Sequence, residues 1–238
     1  LITEKVVKKL QKLGNVHPMF SLWGLKEDND AVRGEGCFDM VMQKMDMLRE
    51  AGVFFGASIT ATSKSCDEVT SDEFMKMLSD KGCLWSWFFH YVPVGDSPDV
   101  SLVPNAKQRQ QILKAVYNAR NTLPMMTVDF WGDGPEMMGC IAGGRQYVHV
   151  NPNGDVEPCT FVHLATHNVK NCTLTEALAA PFMKAIRDGI PYEDGNMLRP
   201  CMIVDRPDVL RKYYQEFKPY ETHENAAAYL TDPKITSE

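Results

Sequence analysis

Val53-Phe54-Phe55-Gly56-Ala57-Ser58-Ile59-Thr60-Ala61, then Ser71-Asp72-Glu73-Phe74-Met75-Lys76-Met77-Leu78-Ser79-Asp80-Lys81, then Leu84-Trp85-Ser86-Trp87-Phe88-Phe89-His90-Tyr91-Val92 is the run that decides the fold. The outer segments are β-prone and apolar almost throughout, as strands covered by helices are. The middle segment places Phe74, Met75 and Leu78 at helical spacing, and Gly82 stops it. Strand, helix, strand at this spacing is a parallel βα unit, because parallel strands need a crossover between them.

The same alternation extends outward. Thr3 to Leu13 carries Val6, Val7, Leu10 and Leu13 on one helical stripe, and His17 to Trp23 is a short apolar strand. Phe38 to Ala51 is a helix through Met40, Val41, Met45, Leu48 and Ala51, ended by Gly52. Ala106 to Asn121 is a helix with Ile112, Leu113, Val116 and Tyr117, followed by a strand over Met125 to Phe130. Four strands are too few to close a barrel. Either the sheet is open or strands are missing from its N-terminal side; the expected fold class is α/β, a doubly wound sheet or a partial (β/α) barrel half with parallel strands, followed by a small α+β domain with a β-hairpin.

That second domain begins where the composition turns to Gly and Pro, from Gly132 on. Gln146 to Asn151 and Val156 to Phe161 flank Pro152-Asn153-Gly154-Asp155, and Asn-Gly between β-prone runs is a strong hairpin signal. Thr173-Leu174-Thr175-Glu176 is a capping box ahead of a helix expected to reach about Arg187. The expected division is residues 1–131 for the barrel part, 132–205 for the second domain and 206–238 for a helical, polar tail.

Composition narrows the function classes. With 25 Lys+Arg against 31 Asp+Glu the net charge is −6, which argues against nucleic acid as main partner. At 44% hydrophobic and 24% charged the 238 residues are those of a globular protein. No run approaches the roughly 18 apolar residues of a membrane span. No signal-peptide pattern is present and the 7 cysteines cannot all pair, so a reducing, cytoplasmic setting is expected. The 14 methionines suit a sheltered or anaerobic one.

Cys140, in Gly139-Cys140-Ile141-Ala142-Gly143-Gly144, and Cys159, closing Gly154-Asp155-Val156-Glu157-Pro158-Cys159, carry the chemistry, with Cys201 after Arg199-Pro200. The hairpin leaves Cys140 and Cys159 free to meet. Thiolates suit an iron–sulfur cluster or zinc, and the glycines leave room for a bulky cluster and bare backbone N–H groups toward it. Spacing alone leaves open three unrelated buried cysteines, since no CxxC is present. His163, four residues after Cys159, is a candidate imidazole ligand. Cys37, Cys66, Cys83 and Cys172 have no ligand spacing. His90 reads as a core histidine or as one facing the barrel interior. Asp129 and Asp133, at the end of the last strand, read either as reactive groups or as turn residues. P-loop, GxGxxG, HExxH and GxSxG motifs are all missing.

The Gly139–Gly143 and Gly154–Cys159 segments with the distant Cys201 resemble the twitch or abbreviated SPASM auxiliary-cluster domain of radical S-adenosylmethionine (radical SAM) enzymes. Ser21-Leu22-Trp23-Gly24 with Arg33-Gly34-Glu35-Gly36-Cys37-Phe38 resembles the fourth-strand segment of the same enzymes, where a Ser-Leu-Asp-Gly run precedes Arg-Gly and a helix. The resemblance covers roughly residues 4 to 205. It implies an auxiliary [4Fe-4S] cluster on Cys140, Cys159 and Cys201, with His163 a candidate for the remaining position beside water, a substrate atom or another cysteine. It implies that Ser21 approaches the ribose of S-adenosyl-L-methionine, Arg33 its carboxylate and Val94 its adenine. The implied activity is radical modification of a peptide or small molecule, fed by a reductant such as ferredoxin or flavodoxin.

Two departures stand out. The CxxxCxxC loop that holds the radical-generating cluster does not occur in these residues, so the expectation is the C-terminal part of an enzyme, inactive alone. Trp23 stands where the family has Asp or Glu. The alternatives are a non-enzymatic iron–sulfur electron-transfer or scaffold subunit and a zinc-stabilised structural domain.

Overall fold

The computed structural model describes residues 2–95 and 98–231. They divide into two compact units, one of residues 2–91 and 102–132, the other of 92–95, 98–101 and 133–231.

In the first unit α1 (Glu4–Leu13) leads to β1 (Met19–Leu22), α2 (Lys26–Arg33), α3 (Cys37–Glu50), β2 (Gly56–Ala61), α4 (Cys66–Val69), α5 (Asp72–Asp80), β3 (Trp85–His90), α6 (Ala106–Thr122) and β4 (Met126–Asp129). The strands form one sheet in the order β1-β2-β3-β4, all neighbours parallel. Helix starts follow their caps: Thr3 accepts from Val6, Ser71 from Phe74, and Asn105 with Gln108 completes a capping box at α6. Each cap satisfies N–H groups that the first turn leaves without partners.

The sheet has two chemically different faces. Phe20, Leu22, Ala57, Ile59, Ala61 and Phe88 point into a core completed by Met45, Leu48, Phe74, Leu78, Ile112 and Val116 from the helices. The intervening residues point away from it, with Ser21, Ser58 and Trp87 in cross-strand register.

In the second unit α7 (Gly134–Met137) precedes the hairpin of β5 (His149–Val150) and β6 (Val156–Glu157). Next come β7 (Leu164–Ala165), α8 (Leu174–Ala179), α9 (Pro181–Asp188), α10 (Pro207–Phe217), β8 (Tyr220–Glu221), which pairs with β7, and α11 (Ala228–Thr231). The Asn151 side chain accepts the N–H groups of Asn153 and Asp155 at 2.9 and 3.0 Å and so shapes the hairpin loop. The strand expected to reach Phe161 ends at Glu157. Pro158 has no N–H to continue the ladder, and the chain turns at once, with Val162 N–H donating to the Cys159 carbonyl at 3.2 Å. The single helix expected from 173 to about 187 is two helices. Ala180, before Pro181, is forced extended at ψ 144°, which ends α8 while Pro181 starts α9.

Candidate metal centre

Cys140, Cys159 and Cys201 lie in three loops of the second unit, and their sulfurs share one environment. Cys140 acts electrostatically on Cys159, and both act on Cys201. Phe161 N–H donates to the Cys159 sulfur at 3.4 Å, and the backbone N–H groups of Ala142 and Val204, behind Cys140 and Cys201, favour the charged form of those thiols. The loop around Cys140 is folded back by Gly143 N–H to the Pro158 carbonyl at 2.8 Å and Gly144 N–H to the Tyr147 carbonyl at 3.0 Å. Gly143 and Gly144 have φ +69° and +78°, and a Cβ on either would stand 2.5 or 2.7 Å from Ile186 or Leu178. Only glycine fits both the backbone angle and the space. Arg145 donates to the Cys140 and Met137 carbonyls and pins the loop from outside.

Burial dominates the electrostatics. It pushes the Cys159 thiol up to about 12 and raises Cys140 and Cys201 as well, with Asp205 adding to the rise at Cys201. The N–H bonds and Arg145 pull the other way without winning. Such sulfurs become thiolates when a group of positive charge sits among them. Among the described residues no three His, Cys, Asp or Glu side chains converge tightly enough to hold a single metal ion. Three thiols that act on one another, with an N–H group on the Cys159 sulfur and a glycine-built loop, have the donor chemistry that fits an iron–sulfur cluster.

His163 lies beside this centre in a carboxylate network. Its Nδ1 is 3.8 Å from Glu157, and its ring centroid is 5.8 Å from that of His223. Glu157 is the hub: it is buried, meets His149 Nδ1 at 2.6 Å, and accepts from Asn151 at 3.2 Å and from Thr222. His163, His223, Val94 and Tyr229 line one cleft of this unit.

In the first unit Ser21 is half-buried on the sheet face away from the core, opposite Ser58. Arg33 is exposed in the last turn of α2. The loop that follows it is organised by Asp30, whose carboxylate accepts Phe38 N–H at 2.7 Å and Gly36 N–H at 2.9 Å. An acid does reach the Ser-Leu-Trp-Gly segment, but from α4: Glu68 accepts Leu25 N–H at 2.6 Å. It lies so close that a Cβ on Gly24 would be 2.1 Å from its oxygen, while Trp23 packs edge-on against Tyr91. His90 is on the core side of β3. Its Nε2 is 3.2 Å from Asp129 and its ring stacks on Trp131 at 4.7 Å. Burial works against the Asp129 charge, but His90 and the N–H groups of Gly132 and Trp131 hold its carboxyl below the usual range.

Residues 140–203, which contain all three cysteines, match the SPASM family, described as an iron–sulfur cluster-binding domain. The mycofactocin maturase MftC of Mycolicibacterium smegmatis is 32% identical over 171 residues, covering 67% of this chain and 43% of that protein. The AdoMet-dependent heme synthase of Nitratidesulfovibrio vulgaris is 25% identical over 203 residues, covering 74% of this chain and 54% of its own. The chain belongs to the SPASM-bearing radical SAM enzymes. It spans about half the length of the curated relatives it matches.

Solved radical SAM structures share the fold. Streptococcus suis SuiB bound to S-adenosylmethionine aligns with TM-score 0.63 at 17% identity, over 84% of this chain and 52% of that one. The anSMEcpe structure with bound AdoMet and the Cp18Cys peptide aligns with TM-score 0.61 at 15% identity, over 100% and 73%. In this radical SAM chain the sequence reading missed Asp30, Glu68 and the Glu157 hub. Glu157 had a signal, an acid in an otherwise apolar strand. Asp30 and Glu68 had none, because both act through backbone groups.

Proposed function

We propose that this chain is the C-terminal portion of a radical SAM enzyme, comprising barrel strands (1–131), an auxiliary-cluster domain (132–205) and a helical tail (206–238). The auxiliary [4Fe-4S] cluster is held by Cys140, Cys159 and Cys201, with His163 a candidate for the remaining position. The observation that carries this reading is that three half-buried cysteines of the SPASM-matching segment act on one another electrostatically, with Phe161 N–H donating to the Cys159 sulfur. The cluster, when bound, supplies an electron acceptor or a binding point for substrate. The protein half-buries the three cysteines, fixes the Cys140 loop through Gly143, Gly144 and Arg145, and ties it to the residue before Cys159 through Gly143 N–H.

Ser21, Arg33 and Val94 are the groups proposed to meet S-adenosyl-L-methionine at its ribose, carboxylate and adenine. Ser21 has a hydroxyl on the open sheet face, and Arg33 has the bidentate donor geometry a carboxylate fits. The substrate class proposed is a peptide: the relatives include a mycofactocin maturase, and SuiB is known bound to its precursor peptide SuiA. A small molecule is the competing class, favoured by the heme synthase relatives. No helix among the described residues is long and apolar enough to cross a membrane.

Anaerobic reconstitution followed by iron and sulfide analysis tests the centre. About four of each per chain is the expected yield for one such cluster, lost in the Cys140→Ser/Cys159→Ser variant. Equal iron in both proteins, or none in either, would refute the assignment, and stoichiometric zinc in place of iron would favour the zinc-stabilised reading. The 238 residues alone are expected to form no 5′-deoxyadenosine, since they hold no CxxxCxxC.

A further inference from the structure

Three phenols surround the thiols of the second unit, and their hydroxyls have three different fates. Tyr147 interacts most strongly, among the ionisable groups around it, with Cys159. Tyr192 donates to the Pro200 carbonyl at 3.2 Å. Tyr229, only 7% exposed, has a buried hydroxyl with no hydrogen-bond partner among the described residues. Of the ionisable groups around it, Cys159 and then Cys201 act on it most strongly, ahead of Glu221 and Glu157. Its helix is tied down, with Arg211 donating to the Leu230 carbonyl at 3.0 Å and Ala226, Ala227 and Leu230 buried around it. The ring borders the cleft lined by His163 and His223, while its hydroxyl is buried. A buried hydroxyl left without a partner is a standing cost that a phenylalanine would remove.

We propose that Tyr229 is a positioning residue for the auxiliary cluster, its hydroxyl donating a hydrogen bond to a sulfur of the bound cluster or of the thiolates that hold it. This rests on the proposed assignment of Cys140, Cys159 and Cys201 as cluster ligands and adds a contact from a helix remote in sequence. Hydrogen bonds to cluster sulfurs favour the reduced, more negative state, so the bond raises the reduction potential.

The test uses the full chain, its Tyr229→Phe variant and a Tyr192→Phe control whose lost bond ends on a carbonyl. Each is reconstituted anaerobically, assayed for iron and sulfide, and titrated by EPR-monitored redox potentiometry. The cluster-free forms are unfolded in urea. Tyr229→Phe is expected to shift the potential downward, Tyr192→Phe to shift it less or not at all, and cluster-free Tyr229→Phe to be at least as stable as the parent. A variant that is stable cluster-free yet holds iron poorly also supports the role. An unchanged potential with the cluster in place overturns the proposal and leaves the cluster assignment standing. So does an equal shift in Tyr192→Phe, or a cluster-free Tyr229→Phe less stable than the parent, since the hydroxyl would then have another partner. A parent chain that takes up no iron or sulfide overturns both.

Discussion

Gly143→Ala and Gly195→Ala together separate backbone strain from crowding in the loop that carries Cys140. The two glycines have nearly the same left-handed backbone, φ +69° and +66°. Their surroundings differ: a Cβ at 143 would meet Ile186 Cγ2 at 2.5 Å, whereas at 195 nothing lies within 4 Å. Placing an L side chain in this backbone region costs about 1–2 kcal/mol at either site. Ile186 is 1% exposed and cannot yield, so Gly143→Ala also carries an overpacking cost of about 1–3 kcal/mol. The sum is about 2–5 kcal/mol at 143 against about 1–2 kcal/mol at 195. With a urea slope of about 1–3 kcal/mol/M, the two midpoints should differ by about 1 M. The functional consequence follows from one bond. Gly143 N–H holds the Cys140 loop against the residue before Cys159, so the wedge at 143 should also lower iron retention, while Gly195→Ala retains it. Equal urea midpoints, or equal iron, would refute the claim that crowding against Ile186 fixes this loop.

Other perturbations reach different parts of the molecule. Phe88→Ala, which empties a fully buried site in the sheet core, should cost about 3–5 kcal/mol by urea unfolding; a cost under 1 kcal/mol would mean the core of the first unit is misplaced. Burial opposes the Asp155 charge, but donors from Tyr220 (2.7 Å), Asn168 (2.8 Å) and Asn151 (3.0 Å) prevail and hold its carboxyl below the usual value. A depressed carboxyl contributes stability above its unfolded value near pH 3.9, and that contribution is lost as pH falls through the folded value. Asp155→Asn should therefore be less stable at pH 7 and lose less on acidification below about pH 4, as followed by circular dichroism. Burial pushes the thiols of Cys66 to about 11 and Cys83 to about 12; mass spectrometry after iodoacetamide treatment of the native chain at pH 8 should find both unmodified and half-exposed Cys37 labelled.

How much of this was legible depended on whether the signal was local. The apolar stripes of α1, α3, α5 and α6 and the β-prone runs of β1 to β4 mark their own elements, because a helix or strand buried on one face must repeat at 3.6 or 2 residues. The α2 helix was not foreseen for the same reason. Lys-Glu-Asp-Asn-Asp-Ala-Val-Arg buries only Asn29 and carries no apolar stripe. The break between α8 and α9 was available in Pro181, but the run of helix formers around it outweighed the breaker. His90 could be read two ways because alternation alone does not say which sheet face is the core; its pairing with Asp129 and stacking on Trp131 place it on the helix side. The Asn-Gly turn marked the β5–β6 hairpin that leads into Cys159. The approach of Tyr229 to Cys159 and Cys201 had no local signal, since it depends on how α11 returns to the domain.

The cluster-domain loops also explain why so few conventional ligands surround the cysteines. A side-chain cation at each sulfur would stabilise thiolates without iron and would itself need burial and a partner. The chain uses backbone N–H groups, which have no counterion to desolvate, and keeps the guanidinium groups of Arg145, Arg187 and Arg199 on backbone carbonyls of these loops. The result is a pocket in which the sulfurs remain protonated, held up by burial and by one another. Such a site gains its stability on binding, so its loops should be less protected before loading than after. Native-state hydrogen exchange on the chain before and after reconstitution measures this directly. Protection of the amides of Ala142, Phe161, Val162 and Val204, which follow the three cysteines by two or three residues, should rise on loading. If these four amides exchange at the same rate in both states, the N–H groups are not cluster contacts, and the glycine-built loops must serve the packing of the domain alone.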